Sequence, residues 1–282
     1  MLARVCCLLY TFSMTLHDAE LFDLETPTGL MRTHIFRPAA PGRYPGVILF
    51  SEIFHVTGPI HRTAAFLAGH GFVVAVPEIF HEFEPLGKVL AYDTEGTDRG
   101  NWCKINKPLA AYDTDAQTVI AFLQQYAHCT GKLGTLGICI GGHLSFRCCF
   151  SPEILAGVCF YATDIHKLAS HPRGLGLGLA DDSLERARNK AIQAELLMIW
   201  GRQDPHVPFE GRVQIHQALE ESGTNYQWLE FNGAHAFLRD EGPRYNPVLA
   251  QQSLQLALEL FKRKLGEGCL SSTAIGSSET RH

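Results

Sequence analysis

Residues 134–143, GTLGICIGGH, put a cysteine where an apolar run would have to turn sharply into a helix. In Gly137-Ile138-Cys139-Ile140-Gly141, glycines bracket Cys139 on both sides. Glycine tolerates the crowding and the dihedral angles of a nucleophile elbow, and sulfur here takes the place of serine in the G-x-S-x-G form of that turn. A thiol so placed becomes a nucleophile when a base takes its proton and a third group orients the base. Two later residues have the right types in the right order. Asp204 lies in LLMIWGRQDPHVP and His235 in FNGAHAF, each just past a strand-like run. Nucleophile, acid and histidine in that order, each at a strand's carboxyl end, meet at one edge of a parallel sheet. The chemistry this predicts is acyl transfer through Cys139, with His235 moving the proton and Asp204 holding the ring. Cys148, Cys149 and Cys159 read instead as small apolar core residues.

The elements that must carry these side chains follow from periodicity. GVILF (46–50), FVVAV (72–76), KLGTLG (132–137), GVCF (157–160), ELLMIW (195–200) and YQWLEF (226–231) are the strand candidates. Several are apolar on both faces, as buried parallel strands must be. Helical periods fill 59–69, 108–127, 141–150, 209–222 and 248–264 between them. MRTHIF (31–36), after the turn at 26–29, reads as an added antiparallel strand. Alternation of this kind predicts an α/β fold: one domain over 25–265 with a mostly parallel, doubly wound sheet flanked by helices. Residues 1–24 are expected to be an N-terminal extension that can stay disordered, and 266–282 a disordered C-terminal tail. Residues 77–107 and 162–190 are long, polar and irregular, and read as loops that wall or cover the site.

Composition narrows the function classes. The 282 residues are 46% hydrophobic and 19% charged, with a formal net charge of −5. Such a chain can bury one large core, and its charge offers nothing to a nucleic acid or an anionic membrane. Nine cysteines with irregular spacing are not a secreted disulfide framework, so the expected compartment is the reducing cytoplasm. MLARVCCLLYTFSM at the start faintly resembles a signal peptide but offers no cleavage site and no membrane-spanning length. Fourteen histidines occur without H-E-x-x-H or paired Cys/His spacing, so no metal is expected. The G-x-G-x-G at 174–178 does not follow a strand, so no dinucleotide or other cofactor is expected either.

With these residues in place, the chain resembles the dienelactone hydrolase family of the α/β-hydrolase superfamily. The resemblance spans roughly residues 25–265 and rests on SEIFHVTGPI, YDTDAQTVIAFLQQ, GTLGICIGGHLSF, FYATDIHK, IWGRQDPHVP and FNGAHAFLRD, in family order. It implies a Cys139–Asp204–His235 triad and an oxyanion hole made by the backbone amides of Ile53 and Ile140. It also implies that Glu52, otherwise an ordinary strand-end acid, contacts the thiol and controls its ionisation. Arg239 matches a position where family members hold a substrate carboxylate, while neighbouring Asp240 and Glu241 offer it a plain surface ion pair instead. A second such arginine belongs in the irregular loop, where Arg99 is the nearest candidate. Asp164 and His166, in FYATDIHK, either line the pocket or cap the next segment. The activity implied is hydrolysis of a small ester or lactone (carboxymethylenebutenolidase-like), by a monomer or homodimer with no cofactor. The alternatives are a small-molecule-binding scaffold without catalysis and a thiol redox sensor.

Overall fold

The structure is a computed structural model that describes residues 15–167, 183–189, 192–266 and 268–270. Its strands are β1 (Glu20–Thr26), β2 (Gly29–Phe36), β3 (Gly42–Phe50), β4 (Val73–Pro77), β5 (Cys129–Ile138), β6 (Ile154–Phe160), β7 (Glu195–Gly201), β8 (Tyr226–Phe231) and β9 (Cys269–Leu270). The sheet runs β1-β2-β4-β3-β5-β6-β7-β8, with β9 paired to the start of β3. From β4 to β8 every pairing is parallel; β1 and β2 are antiparallel additions at one edge. The helices are α1 (Gly58–Gly69), α2 (Thr94–Asn106), α3 (Leu109–Gln125), α4 (Ile140–Cys148), α5 (Ser183–Asn189), α6 (Phe209–Ser222) and α7 (Pro247–Leu265). Among the described residues no helix is long and apolar enough to cross a membrane.

The continuous apolar runs read as buried strands are buried for a simple geometric reason. Successive side chains of a strand point to opposite faces, and both faces here are covered. On β3, Ile48 and Phe50 join the core that includes Val119 and Leu123 of α3 and Ile215 of α6. Val47 and Leu49 face the other way, into a second core with Leu67 of α1 and Phe261 of α7. The predicted α/β sandwich is thus the observed one.

Three segments differ from expectation. Residues 20–24, read as extension, are the first part of β1, whose Phe22 and Leu24 alternate inward. Phe22 packs on Phe122 and Tyr126 beside α3, with ring centroids 4.9 and 5.8 Å away. At the other end, 269–270 of the expected tail pair with β3 as a short strand. The irregular stretch 77–107 contains α2, a helix with little apolar character. The Asp93 side chain caps it by accepting from the Gly96 amide at 2.7 Å. Its packing depends on small residues: a Cβ at Gly100 would stand 2.4 Å from the Ile53 carbonyl oxygen. The G-x-G-x-G at 174–178 lies outside the described residues.

Candidate active site

Cys139 sits between β5 and α4 with φ 62° and ψ −119°, a conformation that costs an L-residue roughly 1–3 kcal/mol. The surroundings enforce it. The Cys139 amide donates to Phe160 O at 3.1 Å, and its carbonyl accepts from Gly142 N at 3.0 Å and Thr163 N at 3.2 Å. The glycines are needed for contact, since a Cβ at Gly137 would lie 1.8 Å from Gly141 O, and one at Gly141 2.1 Å from Phe50 O. The turn therefore holds the sulfur out at the sheet edge. Among the six described free cysteines only Cys139 is partly exposed; the other five are buried.

His235 and Asp204 come to the same edge from β8 and β7. His235 Nδ1 donates to Asp204 Oδ2 at 2.7 Å, and both side chains are buried. The second Asp204 oxygen accepts from the His206 amide at 2.8 Å, which fixes the carboxylate's orientation. Burial alone would lower the His235 pKa. The neighbouring Cys139 sulfur and the hydrogen-bonded Asp204 carboxylate outweigh it and push the value up to about 10. The three predicted residues thus meet.

Glu52 lies just after β3, 3% exposed. Burial raises its pKa, against the opposing pull of Arg239, His235 and the Tyr92 hydroxyl. Tyr92 Oη donates to Glu52 Oε2 at 3.3 Å, and Arg239 Nη1 stands 3.9 Å from the same oxygen. Arg239 donates from Nε to the Glu241 backbone carbonyl at 3.1 Å but makes no ion pair with the carboxylates of its sequence neighbours. Asp240 and Glu241 are held by Arg62 instead, at 2.5–2.7 Å, and the Arg239 guanidinium lies over the Tyr92 ring at 4.3 Å. Ile140 opens α4, so its amide is among those a helix leaves without an internal partner. Ile53 lies in the turn against which Gly100 of α2 packs.

These residues enclose a cavity of about 550 Å³, lined by Cys139, His235, Glu52, Ile53 and Arg239 together with Tyr92, Lys104, Thr163, Asp164 and Arg244. Arg99 is not part of it. Its Nε donates to Glu84 at 2.5 Å, its Nη2 to Phe83 O at 3.0 Å, and its guanidinium covers Trp102. Arg99 lies on the opposite side of α2 from the residues that line the cavity, and the α2 cation that does line it is Lys104, five residues further on. Asp164 lines the wall; His166 packs against Gly211 of α6. Sequence reasoning also passed over His206, whose ring meets His235 with centroids 4.6 Å apart. One group of metal-type ligands, His81, Glu82 and Asp115, lies elsewhere and already holds the Lys107 ammonium, 2.7 Å from Glu82 and 2.5 Å from Asp115.

Comparisons with known proteins show the family of the chain. Residues 31–265 match the model of the dienelactone hydrolase family. A candidate carboxymethylenebutenolidase of Saccharomyces cerevisiae is 40% identical over 86% of this chain and 90% of its own. The carboxymethylenebutenolidase of Pseudomonas sp. strain P51 is 26% identical, over 83% of this chain and 91% of its own. The crystal structure of a candidate dienelactone hydrolase from Klebsiella pneumoniae superposes with a TM-score of 0.75 at 22% identity, covering 88% of this chain and 99% of that one, a likeness of fold. The chain belongs to the dienelactone hydrolase family and is, on that membership, a hydrolase of the ester and lactone type.

Proposed function

We propose that the chain hydrolyses a small carboxylic ester or lactone through a Cys139 acyl-enzyme. The observation that carries this reading is the buried 2.7 Å bond from His235 to Asp204, with the same ring lining one cavity with a sulfur on a strained elbow. The thiolate attacks the carbonyl carbon, a C–S bond forms, and the π pair moves onto oxygen. The amides of Ile53 and Ile140 receive that oxyanion. Collapse breaks the ester C–O bond, and the departing alkoxide takes the proton carried by His235. The ring, now neutral, accepts a proton from water as the water attacks the thioester. The second collapse expels the thiolate and releases the acid. In a lactone the alkoxide stays tethered to the acyl group, so both halves leave together. Glu52, a carboxyl that burial inclines towards its protonated form, is read as the group that moderates the thiol before substrate arrives.

The test is a panel of lactones and aryl esters, followed by mass spectrometry of the rapidly quenched protein. Turnover with an acyl adduct on Cys139, and neither in Cys139→Ala, is the expected result. Full turnover in Cys139→Ala would refute the nucleophile.

A further inference from the structure

His206 stands beside the triad without belonging to it. It lies in the turn after β7 that carries Asp204, and its amide donates to the Asp204 carboxylate at 2.8 Å. That bond fixes the backbone from which the side chain projects. The His206 ring meets the His235 ring edge-on, with centroids 4.6 Å apart and planes at 66°. Tyr161 makes a similar contact with His235 at 4.9 Å, but Tyr161 is fully buried, whereas His206 is exposed and lines the cavity.

The His206 imidazole is uncommitted. Among the described residues no group hydrogen-bonds either of its ring nitrogens, although its own amide is engaged. The neighbouring polar groups are taken: Asp164 holds Lys104 and Lys167, Glu52 accepts from Tyr92, and His235 donates to Asp204. Partial desolvation in the cavity and the adjacent His235 lower the His206 pKa, with Arg244 adding to them, against the pull of Asp204 and Asp164. At neutral pH the ring is therefore uncharged, with one nitrogen protonated and the other bare.

We propose that His206 is a second catalytic imidazole, which accepts a hydrogen bond from the water that hydrolyses the Cys139 acyl-enzyme. The role rests on the hydrolase reading above. A water that aims a lone pair at the thioester carbon needs an acceptor for each of its O–H groups. His235 takes one of these protons as the C–O bond forms, and the C–S bond breaks when the tetrahedral adduct collapses. The other proton stays on the oxygen and leaves with the product acid; His206 holds it in place and receives no proton. Two hydrogen bonds of about 2.9 Å span up to about 5.8 Å, so one water can bridge rings whose centroids are 4.6 Å apart. Acylation uses no such water, so the two half-reactions must respond differently to loss of the ring.

The experiment separates the half-reactions with p-nitrophenyl acetate. kcat/KM reports acylation. The turnover rate divided by the fraction of protein carrying an acetyl group, read by mass spectrometry after rapid quenching, gives the deacylation rate constant. His206→Phe keeps a ring against His235 and removes the acceptor, while the amide that orients Asp204 stays. Deacylation should slow about 3- to 10-fold in this variant, the worth of one neutral hydrogen bond, with kcat/KM within about twofold of native. His206→Gln, which restores an acceptor, should recover most of the loss. Circular dichroism establishes that each variant is folded, and His206→Leu replaces His206→Phe if the latter is not. Native deacylation without the acceptor, an equal fall in kcat/KM, or no recovery in His206→Gln overturns the role and leaves the nucleophile standing. A native protein that turns over neither aryl esters nor lactones overturns the hydrolase reading, and this role falls with it.

Discussion

Replacing Asp204 by Asn keeps the side chain's shape and removes its charge, which makes it the sharpest probe of the triad. In the native site one Asp204 oxygen accepts from His235 Nδ1 at 2.7 Å and the other from the His206 amide at 2.8 Å. An asparagine can keep its oxygen on the His206 amide only by turning its NH₂ towards His235. The ring must then accept at Nδ1, which moves its proton to the nitrogen facing the sulfur, where a general base must be bare. A charge-assisted bond of this kind contributes about 1.5–3 kcal/mol. At 1.36 kcal/mol per tenfold in rate, its loss alone is roughly a 10- to 150-fold fall, and the misplaced proton adds to it. We expect kcat/KM for a neutral aryl ester to drop at least about 100-fold in Asp204→Asn. The pH profile carries a second mark. His235 is pushed up to about 10, against burial, by the Cys139 sulfur and the Asp204 carboxylate. Without the carboxylate the ring loses its proton at lower pH, so the alkaline limb should move towards neutrality. The assay is kcat/KM from pH 5 to 11, with circular dichroism to establish that the variant is folded. A loss below threefold with an unmoved alkaline limb would refute the assignment of Asp204.

Two further outcomes follow from Glu52 and Arg239. Burial raises the Glu52 pKa in the folded state, so the stability this group contributes is full at acid pH and is lost as pH rises through the folded value. Glu52→Gln lacks that titration; its melting temperature should overtake the native one between pH 4 and pH 8, by about 1.4 kcal/mol of stability for each pH unit the carboxyl is displaced. Parallel melting curves at both pH values would mean that Glu52 is not desolvated in solution. Arg239→Met should raise KM for acidic lactones about 10-fold or more relative to neutral esters, as loss of one charged hydrogen bond to a substrate carboxylate predicts. Equal losses on both substrate types would make the guanidinium a support for Glu52 and Tyr92 alone.

The parallel sheet was readable because several of its strands are apolar on both faces. GVILF, FVVAV and ELLMIW need two covering layers, and the amphipathic segments between them supply those layers. β1 escaped because its signal is half as strong. ELFDLET alternates, but Leu21 is exposed and only Phe22 and Leu24 turn in, so the pattern looks like a polar extension until α3 is there to receive it. α2 escaped for a different reason. TEGTDRGNWCKIN has two glycines and few apolar residues, so neither propensity nor hydrophobic period marks it as a helix. What holds it is the local Asp93 cap at one end and, in the middle, the tertiary approach of Gly100 to Ile53.

The same distinction explains the site. The triad was legible because each member is tied to a strand end, and strand ends have a fixed meeting place in this topology. The cations of the pocket have no such anchor, and their placement depends on the orientation of α2. Arg99 and Lys104 lie five residues apart on that helix, which is about 140° beyond one full turn and puts them on different faces. One faces Glu84 and Trp102, the other Asp164 and the cavity. A loop reading could only choose the arginine as the better carboxylate ligand. A helix reading chooses by face, and the residues that share the face of Lys104 are Asn101 and Thr97. The helix that sequence propensity hides is thus the element that decides which of its charges lines the cavity, while Gly100 on the same helix rests on the turn carrying Ile53. A side chain at position 100 would push the cavity face of α2 away from that turn, so one glycine sets how closely the two approach.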